Sequence, residues 1–228
     1  MASIKFSKNF LIYTVVLPMI LACVLSCNKS HGGSANAVGT TVGRSAFEIV
    51  GEIEQTGAEL TGFGYLTHID DLPDDLLFTS SDTHSEGTAR FTFFATANLT
   101  DRFIIGNVFI INATGTINIY FTDMPHGNFD DPTSFVGDMP IATFSVRVQS
   151  VLNSQIPNQN QGIATITGDI TQNTTNPFEL DGQQYQLGSP GLIERLFFTG
   201  TGNRTEPTLP VSMIVGGGNV SVTSQGEL

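Results

Sequence analysis

Acidic side chains cluster in two segments of this chain, HIDDLPDDLLF and, further on, DMPHGNFDDPTSFVGDMP. Several carboxylates on loop backbone are the donors that Ca²⁺ prefers, and the ion takes about six to eight oxygen ligands. Neither segment has the D-x-[DN]-x-[DN]-G spacing of a calcium loop, and aspartate is also a common turn residue. Solvated turns are therefore favoured, and a weak calcium site stays open as the alternative. Its candidate ligands are Asp70, Asp71, Asp74, Asp75, Asp130 and Asp131.

Two arginines, Arg90 and Arg147, stand among polar neighbours in segments typical of strands. Inside a barrel, the forked donors of such a residue can bind an anionic ligand. On an outer face, the same residue pairs with an acid on the next strand and contributes little to stability. The sequence makes these two residues candidate ligand-binding positions, with the outer-face interpretation as the alternative.

Catalytic motifs are absent from the sequence. It contains no H-E-x-x-H zinc motif, no G-x-S-x-G nucleophile turn and no phosphate-binding loop ending in lysine. The paired carboxylates of glycoside hydrolysis have no characteristic spacing in a sequence, because the fold brings them together. Glycoside hydrolysis therefore stays open. No catalytic residue is assigned, and a non-catalytic role is favoured over an enzymatic one.

The only two cysteines, Cys23 and Cys27, lie at the end of an apolar run. Lys5 and Lys8 precede the run, which covers residues 10–25 and is shorter than the about 20 residues of a spanning helix. A basic start, a short apolar stretch and polar sequence directly afterwards are typical of a signal peptide. We predict export, with a signal peptide over residues 1–26.

The four residues VLSC at 24–27 resemble the lipobox of bacterial lipoproteins, in which a cysteine is acylated on its thiol and becomes the N-terminus. The resemblance covers only the first 27 residues. It implies lipid attachment at Cys27 and contact with a membrane through that lipid. Asn28 after the anchor is compatible with outer-membrane sorting in a diderm bacterium. Two alternatives remain: the rival motif ILAC ending at Cys23, and ordinary cleavage after Ala37.

Residues 27–45 follow as the lipid anchor and a flexible tether rich in Gly, Ser, Thr and Ala. The whole chain has 9 basic and 21 acidic residues and a formal net charge of −12. Such a chain repels phosphate backbones, and it contains no basic cluster that reverses this locally. Nucleic acid is therefore excluded as a partner, and a small ligand or a glycan stays open.

From residue 46 to residue 228 the apolar residues recur with a period of two, which is typical of half-buried strands. In one such segment Phe47, Ile49, Gly51 and Ile53 share a face. About ten strands are predicted, including 58–69, 103–112, 177–187 and 193–201. Helical crossovers are lacking, so parallel β/α folds are disfavoured and an antiparallel sheet is expected.

We therefore expect a single all-β domain over residues 46–228, either a β-sandwich or a barrel-like closed sheet. The barrel is slightly favoured, since closure removes exposed strand edges. The functional expectation is an exported, lipid-anchored envelope protein that acts as a non-catalytic binding or surface module. A barrel enzyme for a small molecule and a calcium-stabilised carbohydrate-binding domain are the alternatives.

Overall fold

The computed structural model describes residues 34–154, 161–206 and 209–222. Residues Ala35–Leu228 form one compact unit. Two short 3₁₀ helices are present, at Asp74–Leu77 and Pro132–Phe135. The strands are β1 (Asn36–Val38), β2 (Ser45–Thr56), β3 (Glu59–Ile69), β4 (Phe91–Ile105), β5 (Val108–Phe121), β6 (Pro140–Asn153), β7 (Gln161–Thr175), β8 (Phe178–Leu180), β9 (Gln183–Leu187), β10 (Ile193–Glu206) and β11 (Leu209–Val222).

Eight of these strands form a closed antiparallel barrel in the order β10-β11-β2-β3-β4-β5-β6-β7, and β7 pairs with β10 to close it. The remaining three form a small sheet of order β1-β9-β8. The expected all-β barrel is therefore confirmed, and the sandwich alternative is wrong. Closure pairs the first and last strands of the sheet, so their backbone groups do not remain exposed at an edge.

Strand alternation determines which residues face the barrel interior, as the period of two predicts. In β2, Phe47 and Ile49 are buried while Glu48 between them is exposed. In β6, Phe144 and Val146 are buried while Ser145 is exposed. The predicted inner faces of these segments are confirmed.

β3 departs from the simple pattern because both of its faces are buried. Its outward-facing Phe63 contacts Phe129 and Phe135, which the β5–β6 connection places over the outside of the barrel. The Thr92 hydroxyl donates a hydrogen bond of 2.8 Å to the carbonyl of Phe135 and holds that connection against β4. Alternation predicts a face, but it does not predict whether a loop covers that face.

The barrel has two different ends. At the hairpin end, the connections after β2, β4 and β10 are each two residues long. At the loop end, the long connections 70–90, 122–139 and 176–192 pack closely over the strands. Phe91 meets Phe178 there with ring centroids 5.4 Å apart, and Leu77 and Leu192 are fully buried. The loop end is therefore filled by side chains.

Several boundaries differ from the sequence prediction. The segment 177–187, predicted as one strand, contains a turn at Asp181-Gly182 between β8 and β9. The segment 103–112, predicted as one strand, contains the turn between β4 and β5 at Gly106, whose φ of +60° suits glycine. Residues 36–38, assigned to the flexible tether, form β1, which pairs in parallel with β9 and buries Val38. One apolar residue in a Gly/Ser-rich segment was too weak a signal for a strand.

Candidate functional site

A cavity of about 220 Å³ lies inside the barrel toward the hairpin end. Its walls are the inner faces of the barrel strands, and most of the side chains that line it are apolar. The apolar lining includes Ile53, Leu60, Phe93, Ile117, Val146 and Leu196. Below it, toward the loop end, the interior is closed by packed side chains such as Phe47 and Phe144, whose rings contact each other at 6.3 Å.

Small residues explain why this half of the barrel stays open. Gly62, Ala95 and Ala97 contribute almost no side-chain volume to the inner face. Deeper in, Phe93 lies against Gly51, where an added Cβ would stand 2.6 Å from the Phe93 ring. Only glycine at position 51 leaves room for the Phe93 ring. Phe93 therefore lines the cavity at its boundary with the packed half of the barrel.

Among the described residues, three polar ones also line the cavity: Gln55, Arg102 and Ser150. Gln55 is buried, and its side-chain amide donates a 2.9 Å hydrogen bond to the carbonyl of Gly57. Arg102 pairs with Ile111 across β4 and β5, and Ile111 pairs with Ser150 across β5 and β6. Arg102 and Ser150 therefore lie on one rung of the barrel wall, about 10 Å apart across two strand spacings.

A bulge places Arg102 on the inner face. Leu99 pairs with Ala113, while Asp101 pairs with the next residue, Asn112, so Thr100 is an extra residue in β4. The extra residue reverses which side chains point inward from that position on. As a result Arg102 lines the cavity, and Asp101 faces away from it.

The tip of the β4–β5 hairpin extends the wall beyond the cavity. Phe103, Ile104 and Ile105 are each more than half exposed. Pairing of β3 with β4 ends at Glu59 and Asn98, so among the described strands nothing pairs with the outer edge of β4 over 100–105. The rim of the cavity therefore carries an exposed apolar ribbon with an open backbone edge.

One buried acid lies deeper in the barrel wall. Glu194 of β10 is 2 % exposed, and its Oε2 has no hydrogen-bond partner among the described residues. Burial raises the pKa of Glu194 to about 8, so at neutral pH the side chain is mainly protonated. Glu194 does not line the cavity; it lies two residues from Leu196, on the side of the packed half.

The two arginines predicted as ligand-binding residues lie elsewhere. Arg90 precedes β4 at the loop end, 3.7 Å from the carboxylate of Asp123 and 3.6 Å from that of Asp181. Arg147 is exposed and alternates with Val146 and Val148, which line the cavity, so its side chain is on the outer face. Neither arginine lines the cavity, and the alternative outer-face interpretation describes Arg147.

The predicted calcium ligands of the first acidic segment are dispersed. Asp70 is buried and pairs with Arg44 at 3.0 Å. Asp71 accepts a hydrogen bond from Thr41, and Asp74 lies 2.7 Å from Nδ1 of His68. The fourth candidate, Asp75, is exposed.

In the second acidic segment Asp131 caps a 3₁₀ helix by accepting from the backbone N–H of Thr133, and Asp130 is exposed on the adjacent turn. The charge of Asp130 contributes to the raised pKa of Glu52, after burial and the charge of Glu54. Within the described part of the chain, no three acidic, histidine or cysteine side chains converge as a metal site would require.

The predicted lipid-attachment residue Cys27 and its rival Cys23 lie outside the described residues. In the part of the chain that the structure describes, no helix combines the length and apolar character needed to cross a membrane.

Sequence reasoning missed both Arg102 and Glu194. Glu194 had a usable signal, because Glu194, Leu196 and Phe198 follow a period of two that places the acid on the inner face. Arg102 had only the signal of a single cation at the start of the apolar stretch RFIIGNVFII.

Comparisons with protein-family models, with curated proteins and with solved structures found no match for this chain. The structure itself defines the class: a closed eight-stranded antiparallel barrel, filled at its loop end and hollow at its hairpin end.

Proposed function

We propose that this protein is a non-catalytic binding module that holds a small, mainly apolar molecule in the hollow half of its barrel. The observation that carries the proposal is the cavity of about 220 Å³ with its apolar lining. Concave apolar sites with a few polar groups are the usual form of small-molecule sites. The chemistry of the lining also supports binding, since its polar members among the described residues are Gln55, Arg102 and Ser150, and the buried acid Glu194 is not one of them.

The size of the cavity limits the ligand. A volume of 220 Å³ corresponds to roughly seven water-sized units of about 30 Å³ each. An alkyl chain of about that many carbons gains about 0.8 kcal/mol for each buried methylene, or roughly 5–6 kcal/mol altogether. Association also costs translational and rotational freedom, so a dissociation constant on the order of 0.1 mM is the tightest binding expected.

Calorimetric titration with 1-octanol tests the proposal. The protein should bind octanol with a dissociation constant between about 0.1 mM and a few mM. Ala95→Phe places a ring in the cavity and should abolish binding, because Ala95 lines it. Thr96→Phe is the matched control, since the adjacent Thr96 is exposed on the outer face and the same ring there leaves the cavity free. Equal octanol binding by both variants, or none by the wild-type protein, would refute the proposal.

We also propose that the protein is exported and held at a membrane by lipid on Cys27. The basic start, the short apolar run and the lipobox-like VLSC support this. Cys27→Ala should abolish metabolic labelling with a fatty-acid analogue and release the protein from the membrane fraction, while Cys23→Ala should retain both. Loss of labelling in Cys23→Ala alone would move the anchor to Cys23, and unchanged labelling in both variants would reject acylation at these cysteines.

A further inference from the structure

We infer that the ligand of the barrel cavity is an amphiphile whose anionic head group binds Arg102 while its apolar tail fills the lumen. This inference rests on the proposed function, since it names the chemical class of molecule for the same cavity. It is carried by the position of a guanidinium on the inner wall of a mainly apolar site.

Arg102 differs from the paired arginines of the barrel. Arg44 pairs with Asp70, and Arg195 pairs with Asp169 at 2.7 Å. Arg102 has no acidic side chain within ion-pair distance among the described residues. Its sequence neighbour Asp101 is turned to the other face of the hairpin by the bulge at Thr100. A bound anion would therefore be the counter-ion that the described residues do not provide.

Arg102 is exposed at the mouth of the cavity, with apolar side chains on either side of it along the wall. Toward the hairpin tip, the next inward-facing pair is Ile104 with Phe109, and toward the cavity it is Leu99 with Ala113. Because Arg102 is exposed, water screens an ion pair formed there, and the apolar neighbours offset that screening only in part. Arginine presents its donors as a planar fork that matches a carboxylate, and Ser150 on the same rung supplies a further hydroxyl.

The overall negative charge of the protein makes Arg102 selective for anions that also carry an apolar tail. With a formal net charge of −12, the chain repels anions in general, so an ion without an apolar part gains little by approaching. An amphiphile gains from burying its tail and offsets the repulsion. The cavity holds roughly seven carbon-sized groups, which points to a monoanionic chain of medium length rather than a long-chain lipid.

Octanoate and 1-octanol together test the inference, because their tails match the cavity and only one carries a charge. In titrations at low salt, Arg102→Gln should weaken octanoate binding about tenfold, which is about 1.4 kcal/mol, and leave octanol binding within about twofold. Arg102→Lys, which keeps the charge but not the fork, should retain part of the octanoate affinity. Arg147→Gln is the matched control: it removes one positive charge from the outer face of the wall and should alter neither affinity by more than about twofold.

The outcomes separate the two proposals. If the wild-type protein binds octanol and Arg102→Gln weakens neither ligand, or weakens both equally, the anionic head group is refuted and the apolar cavity site stands. If Arg147→Gln lowers octanoate affinity as much as Arg102→Gln does, the effect is one of net charge and the inference is also refuted. If the wild-type protein binds neither ligand, the proposed function fails together with the inference.

Discussion

Replacing Glu194 by glutamine should stabilise this protein at neutral and alkaline pH. The side chain is 2 % exposed, its Oε2 has no partner among the described residues, and burial raises its pKa from 4.5 to about 8. The folded protein therefore keeps the proton over a range of pH in which the unfolded chain has lost it. Glutamine has nearly the same shape and does not ionise.

The sign and size of the effect follow from proton linkage. Between pH 4.5 and about pH 8 the folded state binds more protons than the unfolded state, so the free energy of unfolding falls as pH rises. Below pH 4.5 both states are protonated and nothing is lost. Each pH unit within the window costs about 1.4 kcal/mol, so the total approaches about 5 kcal/mol above pH 8. The advantage of Glu194→Gln should grow from near zero at pH 4.5 to that limit.

Urea denaturation of the wild-type protein and of Glu194→Gln, at unit steps from pH 5 to pH 9, measures this difference. Glu48→Gln is the matched control, since Glu48 is an exposed acid on the outer face of β2 and its replacement changes the net charge equally. Parallel pH profiles for the wild-type protein and both variants would refute the reasoning, because they would mean that Glu194 is already ionised in the folded protein.

Three further changes test other parts of the structure. In urea denaturation, Gly64→Ala should destabilise the barrel by about 3 kcal/mol or more, because the added Cβ would collide with neighbouring backbone. Gly62→Ala is the control: its Cβ makes only ordinary contacts, so its stability should stay within about 1 kcal/mol of wild type. Replacing Phe103 and Ile105 together by serine should reduce concentration-dependent self-association in sedimentation velocity, since both are exposed beside an open strand edge; an unchanged profile would contradict this. Added Ca²⁺ should leave the melting midpoint unchanged, because Asp131 caps a 3₁₀ helix and the other candidate acids are dispersed. A rise of several degrees in the midpoint would instead support the calcium-site hypothesis.

Features that depend on neighbouring residues were largely predictable. The period of two identified the inner faces of β2 and β6, because side-chain direction alternates along every strand. Gly57 and Asp181-Gly182 are residues typical of turns, and all three adopt positive φ. Such a conformation is a local property that glycine and aspartate favour.

Two other stretches with turn or bulge chemistry lie inside long strands. Asn112-Ala113 in β5 lies opposite the bulge at Thr100, whereas 200–202 in β10 pairs regularly with β11 and forms neither a turn nor a bulge. Small residues in a barrel wall serve a second purpose, since they make room for a neighbouring strand or a large inward side chain. That purpose depends on a partner strand, which the local sequence does not specify.

The amino-acid sequence by itself determined that this protein is an acidic chain of alternating strands, with no helical crossover and no spaced catalytic motif. The tertiary structure alone decided that the strands close, that one half of the barrel stays hollow, and which polar groups meet there. Arg102 and Ser150 share a rung only through the registers of β4 with β5 and of β5 with β6. Without the extra residue at Thr100, uninterrupted alternation would have turned Asp101 inward and Arg102 outward. The hydrophobic pattern of the sequence does not reveal a bulge that exchanges the inner and outer faces of a strand. Strand pairing therefore decided that the positive charge of Arg102, and not the negative charge of Asp101, faces the cavity.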